Sequence, residues 1–478
     1  MTKVLMKVLK KSGKKPMRHP TAGPAAGPAV AGERLPSAAE LRHIAEKILR
    51  WSEADETEVT LDAGADALTR FANNVIHQNV AEEFLSISVR TVFDGRTARA
   101  TTNKTDEESL RRVLAASSTL ARCQPKIPDL PPMPGPQKYP HVERYFESTA
   151  AATPRDRARL VAEVCETAQK LHETAAGIFS TGAFRSVLAN SNGLVAEYQQ
   201  TRAEFSITMM AGDSSGWAKA NAPEVADLDP VALAQRAAEK SIRSRSPREL
   251  EPARYTVILE PAAVLDLVGF IFYDFAATAV LDRRSCLNDR MGKRIFGRNI
   301  NLWDDSTHAL QLGAPFDGEG LPRQRVKLVD AGVPKNLVYS RATAKKMKAK
   351  PTGHSLALPN EWGEAPVNLV LDGGKASLEA MIDSTDRGIL VTRVWYVREV
   401  DPYEKILTGM TRDGTFLIEG GRLVGGVRNF RFNQSLLEML SNVETLGASV
   451  RASGEEAFEM VVPPMKVRDF HFTEITKF

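Results

Sequence analysis

The chain has 478 residues, of which 43% are hydrophobic and 26% charged, as expected for a globular protein of two or three domains. It contains no run of eighteen or more uncharged apolar residues, so no membrane span is expected. Three widely separated cysteines, Cys123, Cys165 and Cys286, argue against a disulfide framework or a cysteine zinc site and fit a reducing cytoplasm.

The formal net charge of +4 is concentrated in the first residues of the chain. Residues 1–18 carry seven basic side chains and no acidic one, and the rest of the chain has 56 basic and 59 acidic residues. The body therefore lacks the basic surface of a nucleic-acid-binding protein, and nucleic acid is not an expected partner. Residues 1–36 are predicted to be a disordered basic and Pro/Ala/Gly-rich tail without a secretory h-region. Transient binding of this tail to nucleic acid or an anionic membrane remains an alternative.

An N-terminal α/β domain is predicted over residues 37–250, with an antiparallel sheet and flanking helices. Ser37 and Glu40 form a capping box before the first helix, and Asp94-Gly95 and Asn190-Ser-Asn-Gly193 indicate turns. The predicted strands before residue 103 are 58–62, 86–93 and 97–102. The other predicted helices are 107–122, 154–174 and 230–242, the last with Asp229 as its N-cap. The proline-rich residues 125–140 are predicted to form a crossing loop.

A C-terminal β-rich, barrel-like domain is predicted over residues 251–478, which makes the whole chain an α+β protein. Short β-rich segments alternate there with turn residues, including Asp413-Gly414 and Gly420-Gly421. The predicted strands are 257–259, 367–371, 388–397, 405–410, 415–418 and 428–432. The predicted helices are 262–279, 376–382 and 435–442.

The histidines are too scattered to form a local zinc site. No two of the eight lie closer than twenty-four residues, and none lies between Tyr255 and Thr307, where a strand is predicted to run into a helix. A site assembled from distant loops remains possible. Glu260 and Asp266 cannot replace a histidine pair, because a separation of six residues places them on different faces of a helix. Glu260 is expected at the N-cap, stabilised by the helix dipole.

Two short motifs are candidates for a Ser/His nucleophile and a phosphate-binding loop, but their sequences are more typical of structural loops. In Gly353-His354-Ser355, adjacent residues on an extended chain point to opposite faces, and no GxSxG elbow is present. Asp372-Gly373-Gly374-Lys375 lies between a strand and a helix but lacks the GxxxxGK[ST] pattern. The first is predicted to be a loop and the second a tight turn.

Two further stretches are candidate contact surfaces. The segment 68–78 places polar side chains in strand-like surroundings, where they face either a groove or neighbouring loops. Its polar residues are Arg70, Asn73, Asn74, His77 and Gln78. The second stretch, Trp395-Tyr396 with Arg393 and Arg398, indicates an aromatic and basic protein interface rather than a nucleic-acid site, because the surrounding charge is mixed.

Long stretches of the chain resemble the TldD/PmbA (TldE) family, once called modulators of DNA gyrase. In the N-terminal half the resemblance lies in LTRFANNVIHQNV and SISVRTVFDGRTARATTN. In the C-terminal half it lies in GILVTRVWYVREVDPYEKILTGMTRDGTFLIEGGRL and GGVRNFRFNQSLLEML. The similarity extends over residues 37–478 and implies an N-terminal α/β domain followed by a β-rich domain.

The resemblance also implies a function with two kinds of subunit. A TldD-type subunit is a zinc peptidase with an HExxxH helix, whereas its PmbA-type partner lacks the ligands. Here Glu260 and Leu265 stand where the histidines would be, and Pro261 stands at the glutamate. No catalytic, cofactor-binding or metal-binding residue is therefore assigned, and no cofactor is expected.

Three functional hypotheses follow. The first is a non-catalytic, PmbA/TldE-like subunit of a cytoplasmic heteromeric zinc metallopeptidase that acts on peptides or unfolded protein. Its partner would be a TldD-like HExxxH paralogue, or a second copy in a homodimer. The second is a stand-alone hydrolase with a non-zinc site, and the third is a binding protein that acts on DNA or a DNA enzyme through its basic tail.

Overall fold

A computed structural model describes residues 35–476. The predicted tail, residues 1–36, lies outside the described residues except for its last two. The helices are α1 (Ala38–Trp51), α2 (Glu107–Cys123), α3 (Glu147–Ala150), α4 (Pro154–Lys170), α5 (Pro230–Arg243), α6 (Pro261–Val268), α7 (Ala277–Leu281), α8 (Arg341–Met347), α9 (Leu378–Asp383) and α10 (Leu436–Ser441). Short 3₁₀ helices are formed by Val225–Asp227 and Gly269–Phe275. No helix in this part of the chain is long and apolar enough to cross a bilayer.

The strands of the N-terminal half are β1 (Glu56–Ala72), β2 (Val75–Phe93), β3 (Arg96–Thr102), β4 (Thr174–Asn190), β5 (Val195–Ala211) and β6 (Ser214–Ala222). Those of the C-terminal half are β7 (Arg254–Leu259), β8 (Leu302–Asp304), β9 (Val326–Asp330), β10 (Val333–Pro334), β11 (Leu369–Leu371), β12 (Arg387–Asp401), β13 (Ile406–Glu419), β14 (Arg422–Gly426), β15 (Phe430–Ser435), β16 (Val443–Leu446), β17 (Val450–Ala452), β18 (Met460–Val462) and β19 (Met465–Ile475).

The first six strands form one antiparallel sheet in the order β3-β2-β1-β4-β5-β6, called sheet A here. Its long strands extend well beyond the predicted segments. The β1–β2 hairpin closes at Asn73 and Asn74, both with positive φ, as a two-residue hairpin turn requires. Helices α1, α2, α4 and α5 pack against the sheet through two apolar clusters. The predicted capping box of α1 is confirmed, since Ser37 and Glu40 bond each other's backbone N–H groups.

The C-terminal half contains a closed five-stranded barrel. Strands β12, β7, β19, β15 and β13 pair in that order, and β12–β13 pairing closes the ring. A second, six-stranded sheet runs β10-β9-β8-β11-β18-β17. One large apolar cluster lies between these elements and includes the phenylalanines of β15 and β19. The predicted α+β fold with a barrel-like C-terminal part is confirmed, whereas the domain boundary at residue 250 stays a prediction.

Two local predictions in the C-terminal half were wrong. The helix predicted over residues 262–279 is broken, since α6 ends at Val268 and a 3₁₀ segment follows. Gly269 begins that segment, and a side chain there would lie 2.4 Å from Ala457 Cβ. Asp413-Gly414 is not a turn but a bulge inside β13, where both residues have positive φ and the pairing with β12 shifts register.

A buried ionic cluster fixes sheet A to the C-terminal half. Glu58 on β1 is fully buried and accepts hydrogen bonds from Arg90 at 3.0 Å and Arg99 at 2.5 Å. Arg99 also donates to the carbonyl of Leu358 in the C-terminal half. Burial alone would raise the pKa of Glu58, but the two guanidinium groups together hold that pKa below its usual value.

Replacing Glu58 with Gln should destabilise the fold by about 3 kcal/mol, because Arg90 would keep its buried charge without a counter-ion. A carboxylate with a lowered folded pKa stabilises the fold above its unfolded pKa of about 4.3, and this contribution disappears as the pH falls through the folded pKa. The difference in unfolding free energy between the wild type and Glu58→Gln should therefore shrink toward acidic pH. Chemical denaturation across that pH range measures this difference in unfolding free energy.

The exposed pair Glu107–Arg111 is the control, and Glu107→Gln should change stability by less than about 0.5 kcal/mol. Equal effects of the two changes would contradict the prediction.

Candidate functional site

The β7–α6 junction is the place where the resemblance puts a zinc-binding helix. Glu260 is the N-cap of α6, and Pro261 is its first residue, which suits a residue without an N–H. Leu265 is fully buried in the large C-terminal apolar cluster. Of these three side chains, only that of Glu260 carries atoms able to bind a metal.

The carboxylate of Glu260 is paired with a lysine from the other half of the chain. Lys240 on α5 places its Nζ 2.7 Å from Glu260 Oε2, and both side chains are largely buried. Thr392 on β12 donates to the second carboxylate oxygen at 3.5 Å. The predicted N-cap position is confirmed, but the carboxylate accepts no bond from a helix N–H. Its partner is the ammonium group of Lys240 rather than the helix terminus.

Asp266, on the same helix, holds a loop of the C-terminal half. Its carboxylate accepts the backbone N–H groups of Glu455, Glu456 and Ala457 at 2.9–3.0 Å. The loop approaches so closely that a side chain at Gly454 would lie 2.2 Å from Asp266 Oδ1. Burial raises the pKa of Asp266 to about 6, although the three N–H donors oppose that shift. Both carboxylate oxygens of Asp266 thus already accept hydrogen bonds from this loop.

The loop held by Asp266 also contacts sheet A. Lys219 on β6 donates to the carbonyl of Gly454 at 2.9 Å and lies 3.4 Å from Glu204 and 3.5 Å from Glu455. Arg202 on β5 pairs with Glu204 and with Glu459. The two halves of the chain therefore meet around α6 through alternating charges.

A third contact between the halves surrounds the bulge in β13. Arg393 on β12 forms a buried pair with Asp413, to which Ser215 on β6 also donates at 2.7 Å. The guanidinium of Arg393 lies 4.9 Å from the Trp217 ring centroid and 5.4 Å from that of Trp395. This part of the predicted aromatic and basic surface is therefore internal to the chain.

The outer part of that predicted surface is exposed. Tyr396 has a positive φ, and the guanidinium of Arg398 lies over its ring, 4.5 Å from the ring centroid. The backbone N–H of Tyr396 donates to Glu456, which lies in the loop held by Asp266. Whether a partner binds here stays a prediction.

The other short motifs form internal contacts. His354 is fully buried between Asp304 and Thr352, each 2.9 Å from a ring nitrogen, and Ser355 bonds a neighbouring carbonyl instead. In residues 372–375, the Gly374 N–H donates to the Gly447 carbonyl. Residues 353–355 are confirmed as a loop, whereas residues 372–375 form an irregular segment without the predicted tight turn.

The polar segment 68–78 is also partly explained by local contacts. Asn74 donates to the carbonyl of Glu173 and accepts from the N–H of Ala175, so it ties the β1–β2 turn to the start of β4. Arg70 donates to Gln78 across the hairpin at 3.2 Å. His77 stays exposed.

The residues at the β7–α6 junction do not fit a catalytic zinc ion. Such a site needs three side-chain ligands and an open position. Pro261 and Leu265 have no ligand atom, and Glu260 is paired with Lys240. Within residues 35–476, no three His, Cys, Asp or Glu side chains are grouped so that they could hold a metal.

Sequence reasoning missed Lys240 and Lys219, and it gave no role to Asp266. The lysines act across the contact between the two halves, and no local pattern marks them. Asp266 did carry a signal, because it is a lone charge within the apolar run Ala262–Val268. A carboxylate in such a position needs buried donors.

Three domain profiles of one family match this chain. They are described as PmbA/TldA metallopeptidase domain 1, central domain and C-terminal domain, and they match residues 58–121, 147–245 and 252–474. Together they cover most of the sequence. The chain therefore belongs to the PmbA/TldD metallopeptidase family.

Individual relatives show the same likeness. The metalloprotease PmbA of Escherichia coli O157:H7 is 24% identical over 309 residues, which cover 63% of this chain and 66% of that protein. The crystal structure of TldE from Thermococcus kodakarensis superposes with a TM-score of 0.82 at 19% identity, over 91% of this chain and 99% of that one. A Thermotoga maritima protein that carries the name modulator of a DNA gyrase gives a TM-score of 0.81 at 19% identity, over 91% and 100%. At this identity the two structures show a shared fold.

The pairing of Lys240 with Glu260 should contribute measurably to stability. In a double-mutant cycle with Lys240→Met and Glu260→Gln, we expect a coupling energy of about 1–3 kcal/mol, because both groups are mostly removed from water. Chemical denaturation of the two single variants and the double variant gives the value. Additive effects of the two substitutions would show that the pair is not coupled.

Replacing Asp266 with Ala should free the loop at residues 455–457. Three backbone N–H groups would lose their acceptor, so their hydrogen exchange should accelerate before any global unfolding. Hydrogen–deuterium exchange with mass spectrometry measures this for the peptide that contains Glu455–Ala457. Asp289→Ala, at an exposed aspartate, is the matched control and should leave that peptide unchanged. Unchanged exchange in Asp266→Ala would contradict the assigned role.

Proposed function

We propose that this chain is a non-catalytic, PmbA/TldE-like subunit of a heteromeric zinc metallopeptidase that works in the cytoplasm. The observation that carries this proposal is the state of the β7–α6 junction. Each of the three positions at which the resemblance predicts zinc chemistry has another role here. Glu260 binds Lys240, Pro261 starts α6, and Leu265 fills the core.

A partner subunit with an HExxxH helix would supply the metal and the general base. Family membership supports a role in a metallopeptidase, since the relatives include proteins named metalloprotease. A homodimer is the second assembly that fits a chain without ligands at this junction. In either case the role of the chain is to shape the space in which substrate is held.

Peptide or unfolded protein is the proposed substrate class, and one face of sheet A supports it. Leu61 and Ala63 on β1 point into the helix-covered cluster, so Asp62 and Asp66 lie on the opposite face. Burial raises the pKa of both aspartates, and the charge of Arg202 opposes the shift at Asp66. A face that carries two carboxylates beside Arg202 offers hydrogen-bond acceptors and a donor to an extended peptide backbone.

The other two hypotheses receive less support. A stand-alone hydrolase would need an accessible nucleophile and base, and the histidine of the only Ser/His motif weighed above, His354, is fully buried. A role on DNA would depend on the basic residues 1–18, which lie outside the described residues. Neither hypothesis is favoured by a contact within residues 35–476.

Metal analysis of the purified chain, alone and with a co-expressed HExxxH-bearing paralogue, tests the proposal. We expect far less than stoichiometric zinc in the chain alone, and zinc with chelator-sensitive peptidase activity in the complex. A paralogue with Gln in place of the HExxxH glutamate is the control, which should keep the complex and lose the activity. Stoichiometric zinc in the chain alone would contradict the proposal, as would the absence of any complex.

A further inference from the structure

Two phenylalanine rings meet on the face of sheet A opposite its helices. Phe84 on β2 and Phe184 on β4 both pair with Gly64 of the strand between them, so the three residues lie in one row. The ring centroids are 6.4 Å apart. A Cβ at position 64 would lie 2.3 Å from Cε1 of Phe84, so this ring occupies the space above the glycine. The absence of a side chain at Gly64 is therefore what lets the two rings approach each other across β1.

Both rings are accessible to a ligand. Phe84 is 46% exposed, and Phe184 is half-buried at the margin of a small apolar cluster. The face of an aromatic ring carries a partial negative charge, which attracts cations, and its carbon atoms also pack against alkyl groups. The pair can therefore bind a group that combines an alkyl chain with a positive charge.

Aspartates stand on either side of this row of rings. Asp62 and Asp66 lie two residues before and two residues after Gly64 on β1, so the alternation of the strand puts them on the same face. Glu82 pairs with Asp66 from β2 and adds a third carboxylate. The set Phe84, Phe184, Asp62, Asp66 and Glu82 is called the aromatic–acidic patch here.

A second glycine directs the carboxylate of Asp66 within this patch. Gly182 pairs with Asp66 from β4, and a Cβ at that position would lie 2.1 Å from Asp66 Oδ1. The carboxylate therefore extends over β4, the strand on which Phe184 lies two residues from this glycine. The two glycines leave the space that one ring and one carboxylate occupy.

The arginines that act on these aspartates are already bound to other carboxylates. The charge of Arg99 acts on Asp62, but its guanidinium is paired with Glu58. The charge of Arg202 acts on Asp66, but its guanidinium is paired with two glutamates. The aspartates of the patch therefore keep the capacity to bind a further cation.

We propose that the aromatic–acidic patch binds a lysine or arginine side chain of an extended peptide. The proposal rests on the proposed function, in which peptide is the substrate class. An ammonium or guanidinium group within about 6 Å of a ring centroid is attracted by the ring face, and its alkyl stem can pack on the second ring. The carboxylates on either side accept its N–H groups in charge-assisted hydrogen bonds. Neither a neutral nor an acidic side chain can use the rings and the carboxylates together.

The patch borders the contact between the two halves of the chain. Arg202 lies in the same row of sheet A as Asp66, with Gly182 between them, and it pairs with Glu459 of the C-terminal half. A peptide on the patch would therefore lie on the side of the sheet that meets the C-terminal half. This is the side on which the proposed function places the substrate.

Peptide-binding measurements on the full-length chain test the preference for a basic side chain. Fluorescence polarisation compares labelled, unstructured peptides that differ only at alternate positions, occupied by lysine, norleucine or glutamate. We expect the lysine peptide to bind about tenfold more tightly than the norleucine peptide, which keeps the alkyl stem without the charge. The glutamate peptide should bind most weakly.

The outcomes separate this proposal from the proposed function. Equal affinities for the lysine and norleucine peptides would overturn the patch as a cation site and leave peptide as the substrate class. No binding of any of these peptides would count against both. The measurements need neither zinc nor a partner subunit, so they are independent of the metal analysis.

Substitutions separate the contribution of the rings from that of the carboxylates. Phe84→Leu and Asp66→Asn should each weaken the binding of the lysine peptide several-fold, because one removes a ring face and the other a charge. Phe84→Trp should strengthen it, since the indole face attracts cations best, and a folding defect could not have this effect. Asp289→Asn, at an exposed aspartate of the C-terminal half, is the matched control and should leave the affinity unchanged. An unchanged affinity in either Phe84→Leu or Asp66→Asn would overturn the proposal.

Discussion

The carboxylates of α6 hold together one of the contacts between the two halves of the chain. Glu260, at the start of the helix, binds Lys240 of the N-terminal half, and Asp266 binds the loop at residues 455–457. That loop in turn accepts a hydrogen bond from Lys219 on β6. A short helix thereby connects sheet A, the barrel and the loop, because neither carboxylate can be left unpaired at this depth.

This arrangement explains how a metallopeptidase fold can remain stable without ligands at the junction. A carboxylate near a metal site is balanced by the charge of the cation. At Glu260 the balancing charge is the ammonium group of Lys240, which is covalently part of the chain. The fold around the junction therefore does not depend on the binding of a metal for its charge balance.

Local chemistry made part of the fold predictable from the sequence. The capping box at Ser37, the turn at Asn190–Gly193 and the Asp229 cap each depend on residues a few positions apart, and each was found as predicted. The prediction of a turn at Asp413-Gly414 was wrong because positive φ occurs in bulges as readily as in turns. Only the pairing of β13 with β12 distinguishes the two. The pairing partner is set by the tertiary fold.

The sequence showed which residues stand at the β7–α6 junction but not what they contact. Pro261 and Leu265 offer no ligand atom, which follows from their identities alone, whereas Glu260 keeps a carboxylate. What the sequence could not show is that each position has acquired a separate structural role, since Lys240 lies twenty residues from Glu260 and Leu265 packs against distant strands. Restoring ligands at these positions would therefore remove an ion pair, a helix start and a core side chain together. The free charge of Lys240 would then oppose the binding of a cation.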